Sequence, residues 1–189
     1  MHHIEPFYAW LPYYSVENDI YSPFYRSVKH RPLRINKIYN FIIHPQWDYF
    51  GSSTLYCKVL FADYSLHFAI IELLGEWNDA INNDIMELKR GLIDRMIAKG
   101  IFKFILIGEN VLNFHASDDL YYEEWNEDIR ENHGWVVLLN FREHVLNEMR
   151  TVSIHHYIHF LVDDYTEWRK SHPVVLQKLI EKNLALYLK

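Results

Sequence analysis

Four side chains that can bind metals or carry protons follow apolar segments of this sequence. Glu109, His115 and Asp118 come after one such segment, and His144 comes after the next. In an open α/β sheet the carboxyl ends of parallel strands share one edge, where ligands usually bind. Carboxylates and imidazoles at that edge can hold a divalent metal or act as general acid and base. One hypothesis is therefore a metal-dependent hydrolase with these four catalytic residues.

The same residue types also occur where helices begin, and that alternative requires no catalysis. Acidic side chains favour the positive end of the helix dipole, and aspartate and asparagine cap helices and turns. The sequence has no Gly-rich phosphate loop, no pair of cysteines and no Gly-x-Ser-x-Gly motif. The sequence therefore leaves both the enzymatic and the non-enzymatic interpretation open.

A second group of candidate ligands is the histidine cluster His155, His156 and His159. On a helix, His155 and His159 would lie one turn apart on the same face, a spacing that can chelate a metal. Asp163 and Asp164 follow shortly after. The glutamate of the His-Glu-x-x-His metalloprotease motif is missing. We therefore take His155 and His159 as candidate metal ligands, with ordinary surface or packing positions as the alternative.

The spacing of apolar residues changes along the chain and predicts the strands and helices that would position these residues. Segments 37–44, 54–62 and 65–74 are rich in β-branched and aromatic residues and are predicted to be strands. The short connection between the second and third predicts an antiparallel hairpin. From Ile81 to Met96, apolar residues recur every three or four positions, which predicts an amphipathic helix.

Two later segments, 102–107 and 135–140, are apolar at consecutive positions and each follows a predicted helix. That pattern is typical of buried parallel strands joined by right-handed crossovers. We therefore predict an α/β fold. Its mixed sheet has an antiparallel N-terminal hairpin that leads into a parallel βαβαβα part, and helices follow at the C-terminus.

The domain organisation follows from length and composition. The chain has 189 residues, half of them hydrophobic, which is about the size of one domain. Residues 1–36 are rich in tyrosine and proline without a regular period, so we expect an irregular arm that packs on the domain. Residues 37–189 are expected to form a single α/β domain with a C-terminal helical extension.

The charged residues are unevenly distributed and bear on partners. Residues 26–37 contain five basic side chains and no acid, residues 109–131 contain eight acids, and the net charge is −6. The negative total would repel a phosphate backbone, so we do not expect a nucleic-acid partner. The opposed segments instead favour a protein partner or self-association.

Other sequence features bear on the compartment. Cys57 is the only cysteine, which excludes an intrachain disulfide and is typical of a reducing compartment. No apolar run approaches the roughly 18 residues of a membrane helix, and the N-terminus lacks a secretory pattern. We expect a cytoplasmic protein that does not enter the membrane.

The stretch 68–160 resembles a STAS domain, the fold of bacterial anti-sigma-factor antagonists, in the order and length of its elements. The likeness lies in five segments: the strand 68–75, the helix end Leu92–Gly100, the strand 104–107, the segment 110–118 and the glycine-led strand 134–140. The resemblance implies a protein that acts through contacts with other proteins and without a cofactor.

The resemblance also bears on phosphorylation. The family's Asp-Ser-Ser-Gly turn would fall on residues 115–118, and the serine that is phosphorylated in the antagonists corresponds to Ala116. The switch is therefore not carried over, and Ser117 would be a shifted acceptor at most. The sequence favours a cytoplasmic interaction or regulatory domain, with the metal-dependent hydrolase as the alternative.

Overall fold

The computed structural model describes residues 2–26, 37–38, 41–161 and 166–187. Among these residues the strands form two sheets. The smaller sheet has the order β1–β3–β2 and comprises β1 (His2–Ile4), β2 (Lys37–Ile38) and β3 (Phe41–Ile43). The larger sheet has five strands in chain order: β4 (Leu55–Asp63), β5 (Phe68–Asn78), β6 (Lys103–His115), β7 (Trp135–Leu139) and β8 (His159–Leu161).

The larger sheet is mixed, which confirms the predicted fold class. Strands β4 and β5 are antiparallel, and the remaining pairs are parallel. At the hairpin turn, Asp63 Oδ1 accepts hydrogen bonds from the backbone N–H groups of Ser65 and Leu66, so the turn is fixed locally. The predicted parallel neighbours are confirmed as β6 and β7, whose pairing runs from Lys103 opposite Trp135 onward.

Helices connect and cover the strands. They are α1 (Asp79–Asn82), α2 (Asp84–Leu88), α3 (Asp94–Ile97), α4 (Leu120–Arg130), α5 (Glu143–Thr151) and α6 (Pro173–Tyr187). A π-helical turn, Lys89–Ile93, joins α2 to α3, and two 3-10 turns cover Ile154–His156 and Thr166–Lys170. No helix in the described part of the chain is long and apolar enough to cross a bilayer.

The helix predicted from Ile81 to Met96 is not continuous. Asn83 has a left-handed backbone (φ 51°) and separates α1 from α2, so Ile81 leaves the buried stripe and is 83% exposed. At the π-helical turn the Lys89 side chain is fully buried, and its ammonium donates hydrogen bonds to Asp94 and Asp128. The apolar spacing therefore identified the helical region but missed its breaks.

Different elements pack against the two faces of the larger sheet. One face packs against the helices between its strands, from α2 to α5. The other face packs against α6 and the N-terminal segment, where Trp10 is 3% exposed and its ring lies 5.4 Å from that of Trp168. The Trp10 indole N–H also donates to the carbonyl of Ser171 at 3.0 Å. Phe7 and Trp10 thus attach the N-terminal segment to the second face, whereas Val16 and Phe24 pack in the cluster of the first face.

Candidate functional site

Strand β6 is longer than its apolar segment, and this changes where the predicted catalytic residues lie. Beyond Ile107 it continues to pair with β5, ending with Asn78 opposite His115. Glu109 is therefore inside the strand, six residues before His115. At roughly 3.3 Å per residue the two Cα positions are about 20 Å apart. The structure does not bring Glu109 and His115 to one metal centre.

Glu109 has structural partners from two other elements. Its Oε1 accepts hydrogen bonds from the indole N–H of Trp168 (2.8 Å) and the amide of Asn140 (2.9 Å), and its carboxylate forms an ion pair with Arg169. Burial opposes ionisation of this carboxyl, but the hydrogen bonds from these three partners outweigh it and lower the pKa of Glu109. Glu109 therefore fixes the turn Thr166–Lys170 against the sheet.

The other three predicted catalytic residues are exposed and occupy separate elements. Asp118 Oδ1 accepts from the backbone N–H of Leu120 at 3.2 Å, at the start of α4. His144 is near the start of α5, and its Nε2 lies 2.8 Å from the carbonyl oxygen of Leu112. Within the described ranges, no three His, Cys, Asp or Glu side chains are arranged to hold a metal ion. Asp118 and His144 lie near helix starts, as in the helix-start alternative, whereas His115 ends β6.

His155 and His159 do not lie on one helix, so the expected helical spacing is wrong, and their role as metal ligands stays a prediction. His155 lies in the 3-10 turn and His159 begins β8. Both line a cavity of about 300 Å³ together with Arg150. Burial lowers the pKa of His159, which favours the neutral imidazole. Asp163 and Asp164 lie outside the described residues.

The edge at which β5 and β6 end presents two exposed apolar side chains, Ile81 (83% exposed) and Leu120 (62%). Ile81 follows β5 closely, and its backbone N–H donates to Asn78 Oδ1 at 3.0 Å. Leu120 is the first residue of α4. Ser117 is exposed between the end of β6 and α4. We call this surface, residues 78–82 and 115–123, the interaction edge.

A buried polar network holds the two halves of the interaction edge together. The hydroxyl of Tyr122 donates to Asp79 Oδ2 at 2.6 Å, while Asp79 Oδ1 accepts from the Trp77 indole (2.9 Å) and the backbone of Ile85 (2.8 Å). Burial outweighs these bonds and raises the pKa of Asp79 to about 6. Ile81 and Leu120 are each two residues from one end of the Tyr122–Asp79 bond, so this bond ties together the two backbone segments that carry them.

A second polar group on the sheet, Glu72, is not assigned a role by the sequence patterns. Glu72 lies in the middle of β5, is 2% exposed, and its Oε2 accepts from the backbone N–H of Phe7 at 2.9 Å. The sequence does contain a signal for this group, because Glu72 is the only charged residue in the otherwise apolar segment 68–74. An acid is almost never fully buried without a partner or a function. Its neighbour Arg169 is far away in sequence, and no local pattern links the two.

Comparison with known proteins gives a partial structural likeness. No protein-family model matches the chain, and no curated protein matches it. The fold is similar to the crystal structure of a proposed anti-sigma factor antagonist from Thermotoga maritima, with 18% identity and a TM-score of 0.41, over 53% of this chain and 85% of that one. The likeness is to the family that residues 68–160 resemble, and it assigns no role to any residue here.

Proposed function

We propose that this chain is a protein-interaction domain that regulates a partner, and that the partner binds at the interaction edge. The observation that carries the proposal is the exposure of Ile81 and Leu120 on a support fixed by the buried Tyr122–Asp79 hydrogen bond. Apolar side chains held outward on a rigid base are typical of the centre of a protein contact, where they exclude water on binding.

The charges around the interaction edge define the chemistry of the partner. Asp118, Asp119 and Glu123 surround Leu120 at the start of α4, and Asp118 and Glu123 are exposed. A partner that places basic side chains around an apolar centre would match this surface, and the opposite charges would speed association. The partner is therefore expected to be a protein with a basic rim around a hydrophobic patch.

Site-specific crosslinking in the native cell tests the proposal. A photoreactive phenylalanine analogue is placed at position 81 or 120, and a third protein carries it at Tyr49, which has the same 62% exposure as Leu120. We expect positions 81 and 120 to give the same discrete adduct with one partner and Tyr49 not to give it. Identical adducts from all three positions, or none from 81 and 120, would contradict the proposal.

A charge substitution separates binding from folding. Leu120→Asp places an acid at the first residue of α4, where the helix dipole favours a negative charge, so the variant should fold. It should nevertheless weaken the adduct formed from position 81 at least tenfold. An unchanged adduct yield, with unchanged thermal unfolding, would exclude Leu120 from the contact.

We also propose that the chain associates with itself, through the outer faces of the N-terminal segment and α6. Tyr8, Leu11 and Tyr13 are exposed on the first, and Val175 and Leu179 on the second. The ring of Tyr13 lies 4.7 Å from that of His172, so the two surfaces adjoin. Such a contiguous apolar area favours a subunit contact.

Light scattering tests the self-association. We expect the mass of an oligomer for the unmodified protein and a smaller mass when Tyr13 and Leu179 are both replaced by aspartate. A monomeric unmodified protein at high concentration would contradict the proposal.

We further propose that the domain acts in the cytoplasm and without catalysis. A single buried cysteine, Cys57, fits a reducing compartment, and two of the four candidate catalytic residues, Glu109 and His115, are separated by six positions along β6. Cell fractionation tests the location, and recovery of the protein in an oxidising compartment would contradict it.

A further inference from the structure

A cavity lies between the N-terminal segment and the larger sheet, apart from the interaction edge. Its volume is about 380 Å³, which is within the range of sites for small molecules. The sheet side is lined by Glu72 and Asn110, the turn Thr166–Lys170 contributes Arg169, and residues 4–8 complete the lining. We call it the Glu72 cavity.

Glu72 gives this cavity a polar group within an apolar sheet. Its side chain is more than nine-tenths buried, and one carboxyl oxygen is bonded to the backbone N–H of Phe7. The cross-strand neighbour Lys58 directs its ammonium to Glu17 at 2.9 Å and Asp48 at 3.5 Å. A carboxyl group kept in such a position costs stability when it ionises, so a use for its charge is expected.

Arg169 contributes the positive charge in the lining of the cavity, and that charge is partly neutralised by other residues. Its Nη2 is paired with Glu109, and its guanidinium lies over the Trp168 ring at 4.5 Å. The lining contributes two further carboxyl groups, Glu5 and Glu72. The cavity therefore offers acceptors for a positive group more readily than donors for a negative one.

We propose that the Glu72 cavity binds a small organic cation with a primary ammonium group. The ammonium lies against the Glu72 carboxylate and the amide oxygen of Asn110, and the apolar part of the ligand contacts Ile4, Pro6 and Phe7. This site is independent of the partner contact at the interaction edge, so either proposal can fail without the other.

The protonation of Glu72 supports this choice of ligand and predicts a measurable release of protons on binding. Burial raises the pKa of Glu72 to about 7, although the Phe7 N–H, Arg169 and Asn110 oppose the rise and Glu109 adds to it. A bound ammonium favours the charged carboxylate. Binding of a cation at pH 6 should therefore release close to one proton, whereas binding of an anion would release none from Glu72.

Titration calorimetry with three probes of equal length tests the proposal: butylammonium, 1-butanol and butyrate. We expect saturable binding of butylammonium, and at pH 6 its heat should vary with the ionisation enthalpy of the buffer, as proton release requires. Tighter binding of butyrate, or equal binding of butanol, would overturn the proposal, as would the absence of saturable butylammonium binding.

Two variants test whether butylammonium binds in the Glu72 cavity or elsewhere on the surface. Glu72→Gln keeps the size of the side chain and should weaken butylammonium binding at least tenfold and abolish the proton release. Glu148→Gln, at an exposed position of α5, is the matched control and should change neither. Thermal unfolding verifies that both variants fold. If folded Glu72→Gln binds butylammonium as tightly as the unmodified protein, the site is not where we place it.

Discussion

Replacement of Glu72 by glutamine should make the protein more stable at alkaline pH and leave its stability unchanged at acid pH. The reason is that the folded chain holds the Glu72 carboxyl group in a buried position, where its pKa rises from 4.5 to about 7. Glutamine has the same shape and its amide oxygen can still accept the hydrogen bond from Phe7, but it carries no charge to bury.

The size of the effect follows from the two pKa values. Below pH 4.5 the carboxyl is protonated in both the folded and the unfolded chain, so Glu72 does not penalise folding through its charge. As the pH rises from 4.5 through 7, the unfolded chain ionises this carboxyl more easily than the folded chain does. The free energy of unfolding therefore falls over this range. Each pKa unit corresponds to about 1.36 kcal/mol, so the difference of 2.5 (7 minus 4.5) gives about 3 kcal/mol above pH 8.

Equilibrium unfolding in urea, followed by tryptophan fluorescence from pH 4.5 to 8.5, measures this directly. The difference in unfolding free energy between the variant and the unmodified protein cancels the titration of other groups. It should grow in favour of Glu72→Gln as the pH rises, whereas the exposed Glu148→Gln control should give a flat difference. A flat difference for Glu72→Gln as well would refute the reasoning.

Three further outcomes follow from the same contacts. Tyr122→Phe removes the donor to Asp79 Oδ2, so it should lower the unfolding free energy by about 1–3 kcal/mol, measured in urea. Trp10→Ala removes a ring that is 3% exposed; it should cost about 3–5 kcal/mol and speed proteolysis within residues 2–26, measured by limited digestion with chymotrypsin, which cleaves after the aromatic residues of this segment. Ser117 should carry no stoichiometric phosphate, because Ala116 occupies the acceptor position and Asp118 and Asp119 already make the segment negative. Intact-mass measurement on protein from its native cell checks this last outcome.

The parts of the fold that could be predicted are those with a local periodic signal. The β4–β5 hairpin and the buried pair β6–β7 were predicted because each strand is apolar in a regular pattern and the turn at Asp63 is short. The second half of β6 gives no such signal. Residues 109–115 include Glu109, Asn110, Asn113 and His115, and they form a strand only because β5 is long enough to pair with them.

The site residues show the same limit. Asp118 lies at the start of α4, as a capping residue can be predicted to do, but the distance between Glu109 and His115 depends on the strand between them. Ile81 fits the apolar spacing of the helix and is nevertheless exposed, because the left-handed Asn83 breaks the helix. The Glu72 cavity combines residues from positions 4–8, 72, 110 and 169, and only the topology brings them together.

The central claim is that a partner binds at the interaction edge. It is tested most directly by titrating the purified partner, once crosslinking has identified it, against three proteins. These are the unmodified chain, Leu120→Asp and Tyr49→Asp, the last two altered at positions of equal exposure. The account predicts at least a tenfold loss of affinity for Leu120→Asp, equivalent to about 1.4 kcal/mol or more, and less than a twofold change for Tyr49→Asp. Equal affinities for all three proteins, or a larger loss for Tyr49→Asp, would contradict it.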